Sequence, residues 1–121
     1  MSGQTAPLLL RVRKLCLSLP ETSETPSWGH PNFRAGKRTF VTFERVDGVD
    51  AIAFHLHPFE VEALERQAGF ARTPYGQGRW VSLRIRPRPK WKLVEDLVLR
   101  SYRQVAIKRM LLQLESPQAD R

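Results

Sequence analysis

Between Arg66 and Glu95 the chain carries Arg72, Arg79, Arg84, Arg86, Arg88, Lys90 and Lys92 and no carboxylate. A run of cations neutralises phosphates and releases counterions from a polyanion, and Trp80 within it could stack on an unpaired base or wedge against a sugar. The plainer reading is a solvated basic strand whose Trp80 packs under a helix. A second cationic group, Arg34, Lys37 and Arg38, surrounds Gly36 in what reads as a tight hairpin turn, with His30 near in sequence. Two such hairpins could straddle a duplex as wings.

Other chemistries find less support. His55 and His57 lie two apart and could offer two imidazoles to one metal, but zinc takes three or four ligands and the rest are not evident. Cys16 is the only cysteine, which excludes an intrachain disulfide and a Cys-based zinc knuckle. Its place on an apolar helix reads as a small core residue and not a nucleophile. There is no glycine loop closing on Lys-Ser or Lys-Thr, no Gly-x-Ser-x-Gly elbow and no His-Glu-x-x-His. No catalytic residue, metal site or cofactor is therefore expected.

The elements that must position these groups are those of one small domain. The 121 residues, 41% hydrophobic, can bury one modest core. Lys and Arg number 20 against 12 Asp and Glu, a formal net charge of +8 that attracts nucleic acid, an anionic surface or an acidic partner alike. No apolar stretch is long enough to cross a membrane, and Leu8-Leu9-Leu10 runs into Arg11, Arg13 and Lys14, the reverse of a signal peptide's order. With the lone cysteine, this predicts a cytoplasmic protein.

Leu8, Val12, Leu15 and Leu19 share one face of a first helix from about Thr5, which Pro20 ends. Glu21 to Pro26 reads as a polar connection. Trp28-Gly29-His30-Pro31 reads as a strand entry with Trp28 at the core edge, followed by two strands turning at Ala35-Gly36-Lys37. Thr39 to Val46 then meets Asp47-Gly48, a type I′ hairpin signal, and returns as Asp50 to Leu56 with Ile52, Phe54 and Leu56 toward the core. Pro58 opens a short helix with Phe59, Ala63 and Leu64 as contacts and Gly69 as its stop. A brief strand at Phe70 to Pro74 precedes Arg79 to Ile85, where Val81, Leu83 and Ile85 point one way and Trp80, Ser82, Arg84 and Arg86 the other.

From Trp91 or Lys92 a final helix runs to about Leu114 with the stripe Val94, Leu97, Val98, Ser101, Tyr102 and Val105. On it the Ser101-Tyr102 pair reads as helix–sheet packing with a hydroxyl satisfied locally. The order helix, three strands, helix, two strands, helix predicts an α+β single domain over residues 5–115, a mainly antiparallel sheet with helices against it. Residues 116–121 are expected to form a frayed tail.

Leu17-Ser18-Leu19-Pro20-Glu21, Trp28-Gly29-His30-Pro31 with Phe33-Arg34, Gly36-Lys37 and Phe40, then Leu56 with Pro58, Tyr75-Gly76, Arg79-Trp80-Val81 and Ser101-Tyr102 together resemble the MmcQ/YjbR family. The likeness covers about Leu8 to Met110. It implies a fold related to secretion chaperones and CyaY-like (frataxin-like) proteins, no enzymatic activity, and DNA binding through a pair of β-wings. The iron chemistry of CyaY needs an acidic surface that this chain lacks. The expected partner is DNA, held by Arg34, Lys37, Arg38, Arg79, Trp80, Arg84, Arg86 and Arg88. The alternative is a protein-interaction or chaperone-like module that docks a peptide or a second copy of itself.

Overall fold

The computed structural model describes residues 5–27, 29–85 and 89–115. The elements run α1 (Thr5–Leu17), β1 (Thr22–Ser27), β2 (His30–Ala35), β3 (Arg38–Val46), β4 (Val49–His55), α2 (Pro58–Leu64), β5 (Phe70–Arg72), β6 (Trp80–Arg84), α3 (Trp91–Val105) and α4 (Lys108–Glu115). The six strands form one antiparallel sheet in the order β1-β2-β3-β4-β6-β5, with α1 and α3 packed on one face. This is the expected α+β domain. Among the described residues no helix is long and apolar enough to cross a membrane. Trp28, Arg86, Arg88 and the tail 116–121 lie outside the described residues.

The core is built where the alternations meet. Val41 and Phe43 on β3 face Phe54 and Ile52 on β4, and Val81 on β6 continues the row; all are buried. Against them lie Val94, Leu97, Val98, Ser101, Tyr102 and Val105 of α3, position for position the predicted stripe. Val12 and Cys16 of α1 close the layer, and burial pushes the Cys16 thiol pKa up, as suits an inert core cysteine. Asp47 and Gly48 both have positive φ, the geometry a type I′ turn requires.

Three local expectations give way. The polar connection after α1 is in fact the edge strand β1: Thr22 and Thr25 suit a strand, Pro26 is tolerated where a free edge needs no donor, and Glu24 reaches back to Arg13 on α1 in a two-pronged ion pair. In α2 the core contacts are Val61 and Leu64, while Ala63 and Phe59 are exposed and Phe59 stacks on His57. Gly69 is left-handed, but it leads into β5 and does not cap α2, which ends at Leu64.

The last helix is likewise two helices. Ala106 is extended, and the break lets α4 turn so that Met110 packs beneath the β2–β3 turn. Arg109 and Gln113 hold it there through the Glu21 carboxylate, at 2.6–2.9 Å. The Tyr102 hydroxyl is not satisfied locally: it donates to the Pro20 carbonyl at 2.7 Å, 82 positions away, while the ring meets Phe40 edge-on at 5.6 Å. Ser101 Oγ is buried without a partner. Tyr102→Phe is expected to cost about 1–2 kcal/mol, because it strands the Pro20 carbonyl at the junction of α1 and β1. Urea denaturation with an unchanged midpoint would show that this link adds nothing.

Candidate anion-binding site

Strand register decides which of the basic residues can act together. The β2–β3 turn, the end of β4 and the start of β6 all lie at one end of the sheet, since Val41 pairs with Phe54 and His55 with Trp80. Arg34, Lys37 and Arg38 of the first hairpin and Arg79 of the β5–β6 loop therefore converge at that end. All four are exposed. The turn that carries Lys37 depends on Gly36, whose φ is +62° and whose absent Cβ would sit 2.5 Å from Met110 Cε.

Arg79 is placed by a loop that folds over the face of the sheet opposite α1 and α3. Gly76, Gln77 and Gly78 all have positive φ, and a side chain at Gly76 would collide with the Trp80 indole. The Arg79 carbonyl accepts from Leu56 N–H at 2.9 Å, and its own N–H donates to the Gly76 carbonyl at 3.1 Å. Beneath the loop lies a buried polar row, Thr42, Glu44, Ser82 and His55. Glu44 accepts from Tyr75 Oη at 2.8 Å, Ser82 Oγ at 3.0 Å and Thr42 Oγ1 at 3.4 Å. Burial and then the Glu44 carboxylate raise the Tyr75 pKa, so its hydroxyl stays protonated and donates.

His55 occupies the basic end of this row, edge-on to Trp80 at 5.3 Å, with Nδ1 buried and without a hydrogen-bond partner. Burial first, then the Arg38 and Arg79 charges, hold its pKa below the ordinary imidazole value. The other histidine of the pair is committed elsewhere: His57 caps α2, its Nδ1 accepting from Phe59 N–H at 3.2 Å. Among the described residues no group of three or more His, Cys, Asp or Glu side chains could hold a metal.

The eight residues expected to meet nucleic acid thus divide. Arg34, Lys37, Arg38, Arg79 and Trp80 share one end. Arg84 stands at the other, four residues or about 13 Å along β6, with Asp47 at 3.8 Å. Arg86 and Arg88 lie outside the described residues. Trp80 does not project from an outward basic strand; it is half-buried between His55 and the Gly76 turn, with Tyr75 at 6.2 Å, and Ser82 beside it is buried. A loop covers it, not a helix.

Ion pairing separates the same groups. Arg13, Arg45, Arg66, Arg72, Arg84, Arg100 and Arg109 each lie within 4 Å of a carboxylate. Among the described residues Arg34, Lys37, Arg38 and Arg79 make no ion pair, and neither do Arg11, Lys14, Lys90, Lys92, Arg103 and Lys108, which lie on or next to the helices. The Glu44 cluster escapes sequence reasoning altogether, because only the alternation of Thr42 and Glu44 with Val41 and Phe43 hints at a polar row, and Tyr75 lies 31 positions away. Tyr75→Phe is expected to cost about 1–2 kcal/mol and to speed amide exchange from 75 to 79, since it removes the tie from the loop tip to Glu44. Unaltered exchange in that segment would mean that the glycine turn holds itself.

The sequence matches the YjbR family model over residues 17–104. Comparison with curated proteins gives no match. Two solved structures share the fold. A Deinococcus radiodurans protein of the DUF419 domain type has a TM-score of 0.71 at 19% identity, over 90% of this chain and 88% of that one. A Pseudomonas syringae protein has a TM-score of 0.65 at 15% identity, over 86% of this chain and 98% of that one. The family model spans more than half of the sequence and both neighbours share the fold, so the chain belongs to the YjbR family.

Proposed function

We propose that this chain is a non-enzymatic binding module that takes the phosphate backbone of DNA at the end of its sheet formed by Arg34, Lys37, Arg38 and Arg79. One observation carries the reading: four exposed cations from two separate turns converge at one end of the sheet with no carboxylate within 4 Å. An unpaired exposed cation keeps its full charge for a ligand, whereas a paired one must first give up its partner. The two turns are separated by β4, hence by two strand spacings or about 10 Å, a span over which two short basic projections can follow a phosphate backbone. Contacts of this type position a duplex without reading it, so binding should tolerate changes of sequence.

The test is anisotropy with a labelled duplex and a matched single strand across a salt series. Four phosphate contacts predict a slope of log K on log salt of about −4, and Arg38→Ala with Arg79→Ala should flatten it by about 2. Arg84→Ala, at the far end, should leave the slope alone. Salt-independent binding, or a slope that the double substitution does not change, would overturn the assignment.

A further inference from the structure

Among the described residues His55 is the one titratable ring buried beside Arg38 and Arg79, 8% exposed and with an Nδ1 that makes no hydrogen bond to another residue. The charged and titratable groups around it come from every neighbouring element. Arg38 enters from β3 and Arg79 from the β5–β6 loop, and Tyr75 of that loop stands behind Trp80. Glu44 lies farther along β3 with its oxygens taken by hydroxyls, and His57, two residues on, is turned to the α2 cap. Among the described residues the two guanidiniums are the charges that press on the imidazole, and both belong to the proposed phosphate site.

Resting on that site, we propose that phosphate binding between Arg38 and Arg79 is coupled to proton uptake by His55, so that this end of the sheet binds DNA and a proton together. The two guanidinium charges oppose protonation of the ring. A phosphate seated between them cancels that opposition and adds an attraction, so the imidazole holds its proton more tightly in the bound state than in the free one. Linkage makes the effect reciprocal: affinity rises as pH falls through the bound-state pKa and levels off below the free-state value. Each pKa unit between the two states is a factor of about ten in affinity at the acid limit. A phosphodiester keeps one fixed charge across this range, so the duplex adds no pH dependence of its own.

The coupling is read by anisotropy at constant salt from about pH 7.5 to about pH 5.5, the range in which imidazole titrates, for the wild type and His55→Gln. Over that range the wild type should tighten at least about threefold more than His55→Gln does, since every other source of pH dependence is common to both proteins. Because a substitution at a buried ring can disturb folding, the His55 ring resonances of the wild type are also titrated with and without the duplex; the midpoint should rise when DNA is bound. Binding with equal pH profiles and an unmoved His55 midpoint would overturn the coupling and leave the polyanion reading standing. Absence of binding at every pH in low salt would overturn both.

Discussion

A carboxylate buried on a sheet face must be surrounded by donors, and Glu44 sits on the face opposite α1 and α3. Tyr75, Ser82 and Thr42 supply the donors, and to do so the β5–β6 loop has to fold back across the sheet. A charge left in that position without them would cost several kcal/mol, so loop and carboxylate stand or fall together. The consequence reaches the surface. The same loop fixes the Arg79 backbone against Leu56, lays Gly76 over Trp80 and leaves His55 buried beside two guanidiniums. The Arg79 side of the exposed cationic end is thus held by an interior hydrogen-bond cluster.

The charge pattern is more selective than a net charge of +8 suggests. Pairing with Glu21, Glu24, Asp47, Asp50, Glu60, Glu62 and Glu65 commits seven arginines to contacts within and between elements, such as the Arg13 link from α1 to β1 and the Arg109 link from α4 to the turn before β1. What is left unpaired at the β2–β3 turn and the β5–β6 loop is a compact group, and strand register places it. Had β4 paired with β6 two residues out of this register, Arg79 would be displaced by about 7 Å along the sheet relative to Arg38.

Sequence makes the strongly periodic parts legible. The α3 stripe, the Asp47-Gly48 turn and the core faces of β4 and β6 follow from spacing alone, because in each the burial partner is a whole layer and not one residue. Where a single distant partner decides, spacing is silent. Thr22 to Ser27 looks like a linker until β2 offers it an edge, and the break before α4 depends on Met110 finding the space left by Gly36. Glu44 shows nothing in sequence of its three donors. The basic residues are recognisable by type, but their division between two ends of the sheet is a matter of register, and Trp80, read as an outward ring, is half-buried by a loop whose fold rests on Glu44.

Amide chemical-shift mapping of the isotope-labelled protein, titrated with a short duplex at low salt, tests most directly whether Arg34, Lys37, Arg38 and Arg79 form the binding surface. Perturbations are expected to concentrate at 34–38, 55 and 79–80, with the Asp47-Gly48 turn and Arg84 unaffected. Perturbations centred on Arg84 and the β3–β4 turn, or none on the basic end, would contradict that claim.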